Sequence, residues 1–319
     1  MITKDLCFIF KHGRKSRLDL FHEIPSEFYY GYIELKKKKV KVSFVEDNEI
    51  DMSPPLSFLG KLINKFSIFF SNIPIGMLLP LTKKKNRILI NKYRIVIATS
   101  NALGLALCLG KMLKLIKSDI LFIVMGILVS KPSFWNKFLY KYILKNAQII
   151  SLSKEEQFFL NKKLGQKTYY LPFGVNSNFW KNYKSVNNQP QYILSIGNDS
   201  NRDWETLINS WDINFPLLKI ITSHKIYSDK SNIEVINGDW RKQIISDVDI
   251  RKLYNNALFV VIPNKNTHQP AGQSSCLQAM SCSKLVLISN IDGIWDREKL
   301  IDNKNIIFVK PEDPKILNT

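Results

Sequence analysis

At 319 residues the chain exceeds the size at which one hydrophobic core usually keeps growing, so it reads as two domains, with 45% hydrophobic residues to fill both cores. Its 46 Lys and Arg against 27 Asp and Glu leave a formal charge of +19, which directs the search for partners to acidic ones: nucleic acid, anionic lipid or phosphorylated substrates. The four cysteines, Cys7, Cys108, Cys276 and Cys282, have neither a paired nor a metal-ligand spacing; this speaks against a disulfide or zinc scaffold and for buried free thiols in a reducing, cytosolic compartment.

In chain order, LCFIF (6 to 10) reads as a short buried strand, and the return of charge directly after it is unlike a signal peptide. His12, Gly13 and His22 follow this strand. PSEFYYGYIELKKKK (25 to 39) reads as a helix with proline in its first turn, and VKVSFVED (40 to 47) as the next strand. An apolar insert follows, from Leu56 through KKK at 83 to 85. Its uncharged part, Phe66 to Thr82, sits at the lower limit of a membrane-spanning length and is broken by Pro74 and Gly76. Lys61 and Lys65 before it and the lysine triplet after it fit a segment lying on an anionic membrane surface; a buried helix-turn-helix insert is the alternative.

Beyond the insert, strands (93 to 100, 119 to 126, 147 to 153) alternate with helices (102 to 117, 134 to 147, 154 to a stop at Gly165), which implies right-handed crossovers and a parallel sheet. Residues 176 to 190 are polar and without period, as linkers are. A second series then begins. YILSIG (192 to 197), LLKIITS, NIEVING, LFVVIPN and KLVLIS read as strands, and DWETLINSW, SDVDIRKLYNNA and the word around Cys276 to Cys282 as helices. The fold class expected is therefore α/β, two Rossmann-like doubly wound domains facing a cleft, with domains at 1–178 and 179–319.

Three loops at strand carboxyl ends of the second half carry the candidate chemistry. In SIGNDSNRDWETL, Gly197 permits close backbone approach, Asn198 follows it, and Arg202 beside a helix start makes an anion site; an Arg202–Asp203 pair on a solvated helix start is the alternative. In THQPAGQSSCLQAM, Ser274 or Ser275 is a good N-cap, and the backbone amides of Gly272, Gln273, Ser274, Ser275 and Cys276 are expected as donors pointing into the cleft. Gln278 either closes a capping box with Ser275 or reaches ligand hydroxyls. His224 follows the strand LLKIITS, where a merely solvated side chain is the competing reading. The familiar HExxH, GxSxG and Walker patterns are absent, and no acidic pair is placed for a metal.

The succession "SIGNDSNRDWETL", "DIRKLYNNALFVVIPN" and "AGQSSCLQAMSCSKLVLIS", with "YYLPFGVNSNFW" before it, resembles the nucleotide-binding half of glycosyltransferase family 4, retaining enzymes of the two-Rossmann GT-B architecture. The resemblance covers roughly Ala147 to Pro314. It implies that Arg202 contacts the donor diphosphate, and that Gly272 to Ser275 offer amides to phosphate and sugar. It further implies that Gln278 stands where the family's ribose-binding glutamate stands, and that no bound metal or other cofactor is needed. Arg202 and the helix amides would stabilise the leaving diphosphate. His12, with Gly13 on the acceptor side, is assigned to acceptor or donor-phosphate contact and, with Arg202, to catalysis.

The resemblance also implies C-terminal crossing helices, which are expected to be missing here, since the chain stops at Thr319. The family's earlier acidic residue has Gln269 and Pro270 near its place. The expected partners are a nucleotide-sugar donor, a glycan or lipid-linked acceptor and an anionic membrane surface, not nucleic acid. The expected location is cytoplasmic, peripheral at the inner face of the plasma membrane. A catalytically inactive nucleotide-sugar-binding or partner-binding homologue is the competing reading, motivated by Gln278 and the short end.

Overall fold

A computed structural model describes residues 6–18, 24–51, 54–71, 73, 75–76, 78–127, 134–183, 192–239 and 244–314. The chain divides into two compact units, one of residues 1–19 and 28–172, the other of residues 20–27 and 173–319.

The first unit contains strands β1 (Leu6–Phe10), β2 (Val42–Glu46), β3 (Ile95–Ala98), β4 (Asp119–Val124), β5 (Gln148–Ser151) and β6 (Thr168–Tyr170). They form one sheet in the order β2-β1-β3-β4-β5-β6, every pair parallel. Its helices are α1 (Lys15–Leu18), α2 (Tyr32–Lys37), α3 (Pro54–Ser71), α4 (Leu78–Leu81), α5 (Lys84–Asn91), α6 (Asn101–Met112), α7 (Phe134–Leu144) and α8 (Lys154–Leu164). Both faces of the sheet are covered, as a parallel sheet requires. Alternate residues Cys7, Ile9, Val96, Ala98, Phe122 and Val124 join one apolar cluster. On the opposite face Phe8 and Phe10 stack at 5.6 Å and meet the rings of Tyr29, Tyr32 and Phe44.

The second unit has β7 (Tyr192–Ile196), β8 (Leu218–Thr222), β9 (Ile233–Asn237), β10 (Ala257–Ile262), β11 (Val286–Ser289) and β12 (Ile307–Val309), in the order β12-β11-β10-β7-β8-β9, again all parallel. Helices α9 (Trp204–Ser210), α10 (Asp247–Asn256) and α11 (Gln273–Ser281) connect them. Ile193, Ile220 and Val261 enter one core cluster, while Leu194, Ile221, Val260 and Ile262, their neighbours along the strands, enter the other. The strand order reverses between β7 and β10, and in the first unit between β1 and β3. The loops after these strands are where open α/β sheets place ligands.

Several local expectations are corrected. The helix expected over 25 to 39 is a 3₁₀ turn at Glu27–Tyr29 and then α2, because Tyr30 (φ 48°) and Gly31 (φ 87°) are left-handed and interrupt the ladder. The polar stretch from 176 is not a free linker at its start. Phe179 and Trp180 are buried in the second core, Arg251 lies 4.7 Å over the Phe179 ring, and Trp180 meets Tyr254 edge-on at 5.8 Å. Residues 184–190 of that stretch, His22 and Pro74 lie outside the described residues. The short strands β6 and β12 were not legible as strand words. Gly165 ends α8 as expected, at φ 63° with its amide bonded to Leu160.

Candidate functional site

In the second unit the loop after β7 and the loop between β10 and α11 meet around one guanidinium. Arg202 bridges to Asn264 across the two loops, and its side chain is 2% exposed. Nη1 donates to Asn264 Oδ1 at 2.5 Å and lies 3.1 Å from Asp199 Oδ2. Nη2 donates to the Ile196 carbonyl at 3.3 Å and to Ser275 Oγ at 3.4 Å, while the buried Nε has no partner among the described residues. A charge this far from water is held by charge-assisted bonds and one carboxylate. The alternative pairing with Asp203 is not formed. Asp203 is buried and accepts from the Thr206 amide as the N-cap of α9.

Two glycines make room for this arrangement. A Cβ at Gly197 would lie 2.1 Å from Arg202 Nε, and one at Gly272 would lie 2.7 Å from Ile262 Cγ2 and 3.2 Å from Arg202 Nη1. Gly272, at φ 82°, is also the N-cap of α11. This corrects the expectation of a serine cap. The left-handed glycine turns the chain into the helix ahead of Ser274 and Ser275, which therefore belong to its first turn, and no capping box with Gln278 forms. The Cys276 amide, expected to face a ligand, instead donates to the Gly272 carbonyl at 2.9 Å as the first bond of the helix. The first-turn amides before it have no acceptor within the helix, and the dipole makes that end electropositive. Ser274 is half-buried there, whereas Gln273 and Ser275 are buried. Ser275 Oγ donates to the Ile196 carbonyl at 3.3 Å, tying the two loops again.

Gln278 neither caps a helix nor is exposed. Its Nε2 donates to Glu27 Oε1 at 3.0 Å, and its Oε1 accepts from the Tyr254 hydroxyl at 3.4 Å. Glu27 Oε1 also accepts from Trp180 Nε1 at 2.6 Å, and Oε2 from the Asn176 amide at 3.2 Å. Burial raises the Tyr254 phenol well above its usual range, so it stays a donor.

Asn198 organises the neighbouring rim. Its Oδ1 accepts from the Ser223 amide at 2.6 Å and from Thr222 Oγ1 at 3.3 Å, and its Nδ2 donates to the Gly238 carbonyl at 2.8 Å. The His224 ring meets the Asn198 carbonyl at 3.2 Å, so His224 belongs to the same rim.

The remaining two candidates lie in the first unit, on the loop after β1. His12 has a side chain 67% exposed, with Nδ1 3.0 Å from Asp47 Oδ1, which also accepts the His12 amide at 2.9 Å. Gly13 is left-handed at φ 89°, and the amides of Arg14 and Lys15 both donate to Glu46 at 2.6 Å. Carboxylates at the end of β2 thus hold the turn after β1.

Sequence reasoning missed Asn264, Tyr254, Asp199 and Glu27. Asn264 follows its strand in "VVIPN", a position that could have flagged it; nothing local flags Glu27. Among the described residues no group of three or more His, Cys, Asp or Glu is placed to hold a metal ion.

No family model matches the chain, and no curated protein matches it. Solved structures do. HepE of Anabaena, solved in complex with UDP and glucose, superposes with a TM-score of 0.63 at 12% identity over 98% of this chain and 88% of that one. Sucrose-phosphate synthase from Thermosynechococcus elongatus gives 0.63 at 17% identity over 98% and 88%. Trehalose 6-phosphate synthase from Burkholderia multivorans gives 0.56 at 9% over 98% and 87%. At these identities the likeness establishes the fold: two Rossmann-like α/β units of the GT-B class.

Proposed function

We propose that the chain is a glycosyltransferase that moves a sugar from a nucleotide-diphosphate donor to a glycan or lipid-linked acceptor in cell-envelope polysaccharide or glycolipid synthesis. It would work in the cytoplasm, peripherally at the inner face of the plasma membrane. The observation that carries the reading is the meeting of the Arg202 guanidinium with the N-terminus of α11 at the strand-order reversal between β7 and β10. Departure of a nucleoside diphosphate concentrates negative charge on its terminal phosphate. A fixed cation and aligned amides stabilise that charge without reorganising. HepE, of the same fold, is solved with UDP-glucose, which supports a nucleotide sugar as donor. The resemblance to family 4 adds retention of anomeric configuration and independence of a metal. His12 and Gly13 are assigned to the acceptor or donor phosphate, His224 and Asn198 to the donor rim.

One observation favours a second reading, a nucleotide-binding homologue without turnover. Gln278, at the expected ribose position, is committed to Glu27, and Asp199 holds the Nη1 of Arg202.

Thermal-shift and calorimetric titration with nucleoside diphosphates and their sugars test the proposal. The wild type is expected to be stabilised by at least one of them, and Arg202→Ala, checked for folding by circular dichroism, to lose the shift. If no nucleotide moves the wild type, the site assignment is wrong. Binding without transfer or donor hydrolysis across a broad acceptor screen selects the second reading.

A further inference from the structure

Helix α3 is built inside out for a water-soluble protein. Its inward row is Gly60, Ile63, Asn64 and Ser67: a Cβ on Gly60 would meet the Gly76 carbonyl at 3.3 Å, Asn64 Oδ1 accepts the Gly76 amide, and Ser67 Oγ accepts the Ile75 amide at 3.5 Å. Its outward row is apolar. Phe58, Leu62, Phe66 and Phe69 are all exposed, and at the 3.6-residue repeat they fall within one arc of about 80°. Phe69 and Phe70 are 81% and 74% exposed and touch edge-on at 5.0 Å. Lys61 and Lys65 border the same arc and are exposed.

Helix α7 packs against α3 and repeats the pattern. Asn136, Tyr140, Ile143 and Leu144 face inward. Phe134, Trp135, Phe138 and Tyr142 face outward, their rings linked in series at 5.9, 6.4 and 4.5 Å, with Trp135 68% exposed. Lys137, Lys141 and Lys145 form a row beside them, and Lys145 lies 4.6 Å over the Tyr142 ring. Neither helix contains an acidic residue.

We infer that the outward faces of α3 and α7 are one docking surface for an anionic lipid bilayer, with both helices lying in the headgroup region. The inference rests on the membrane-peripheral part of the proposed function and names the surface that serves it. Exposed aromatic side chains are stabilised when their rings enter the interfacial region, where tryptophan and tyrosine concentrate. The lysines bordering them meet phosphate headgroups of opposite charge. A second copy of this chain is a poorer occupant, because lysines would face lysines with no carboxylate on either helix to answer them. No described helix is long and apolar enough to cross a membrane, which leaves these two an interfacial position.

Sedimentation of the full chain with vesicles tests the surface. The probes are pure phosphatidylcholine and phosphatidylcholine with about a third phosphatidylglycerol. The wild type is expected to bind the anionic vesicles about ten-fold more tightly than the neutral ones, with loss at high salt. Phe69→Glu with Trp135→Glu, and separately Lys61→Gln, Lys65→Gln, Lys137→Gln and Lys141→Gln combined, should each weaken binding about ten-fold or more. Both variants should keep the wild type's circular dichroism and nucleotide response.

Equal binding by wild type and variants overturns the assignment of this surface and leaves peripheral membrane association intact. Absence of wild-type binding to anionic vesicles overturns both, while the nucleotide titration judges the transferase reading on its own. A wild-type dimer that the aromatic variant dissociates, without vesicle binding, assigns the face to self-association and overturns the lipid.

Discussion

The side-chain amide of Gln278 donates a 3.0 Å hydrogen bond to the carboxylate of Glu27, a residue 251 positions earlier in the chain. The position where family resemblance places a glutamate therefore has a carboxylate beside it after all, supplied by the 20–27 segment and held by Trp180 and Asn176. Restoring glutamate at 278 would set two buried carboxylates against each other. Gln278→Glu is expected to cost about 2–4 kcal/mol in urea unfolding, and adding Glu27→Gln to recover most of it. Additive losses in the double variant would show that the two side chains do not interact.

The two glycines against Arg202 should tolerate no side chain. Gly197→Ala forces the guanidinium aside, since the new Cβ would lie 2.1 Å from Nε. Gly272→Ala adds a strained left-handed alanine to a 2.7 Å clash with Ile262. Each is expected to lose about 1–3 kcal/mol of stability together with the nucleotide-induced thermal shift. Wild-type stability in either variant would show that the loops are loosely packed.

Asp199 competes for the cation that the proposed function gives to a diphosphate, lying 3.1 Å from Nη1 of Arg202 with its own side chain partly exposed. Asp199→Asn removes that competition and keeps a polar side chain. Nucleoside diphosphate affinity measured by calorimetry should rise about three- to ten-fold at low salt, with a smaller gain at high salt. Weaker binding would make the carboxylate an organiser of the site rather than a competitor.

Glu156 in the first unit supplies a pH test remote from these loops. Its carboxylate is buried, accepts from the Ile127 amide at 2.8 Å and meets Ser151 Oγ at 3.2 Å. Burial outweighs these bonds and raises its pKa above the usual 4.5. The folded chain thus keeps this proton to higher pH than the unfolded chain. The stabilising contribution is complete below 4.5 and fades as pH climbs through the raised folded value. Glu156→Gln retains an acceptor and loses the ionisation. The melting temperature of wild type relative to this variant should fall steadily across that window, and a constant difference would contradict the raised value.

All four cysteines are buried thiols outside any disulfide. Burial pushes the thiols of Cys108 and Cys276 up to about 12 and that of Cys282 to about 11, so few thiolates exist at neutral pH. Native protein should resist iodoacetamide over hours and react fully in denaturant, read by intact mass. Rapid native labelling of any one would place it at an opening of the fold.

Much of the architecture was legible because it is local. Leu6–Phe10 is a strand from its apolar run, Gly165 stops a helix by its left-handed φ, and the alternation of such words implies parallel sheets. The candidate loops were legible for the same reason: small residues after a strand and before a helix announce themselves within a dozen positions.

The physics was lost where it depends on distant partners. Serine at 274 or 275 has the propensity for an N-cap, but the path imposed by Gly272 starts α11 earlier. Whether Arg202 lies in solvent was not legible, because only the approach of Asn264 and Ser275 buries it between two loops. The basic, apolar insert suggested a membrane in its composition. That Asn64 and Ser67 face inward and the phenylalanines outward depends on packing against Gly76 and α7, outside the helix's own sequence.

The sequence by itself determined the two α/β units, their strand-and-helix words and the loops where chemistry gathers, since these follow from neighbours along the chain. The tertiary structure decided the partners of Gln278 and Arg202 and the outward face of α3. Burial and hydrogen bonding between residues far apart in sequence are set by the path of the backbone, which no local pattern encodes.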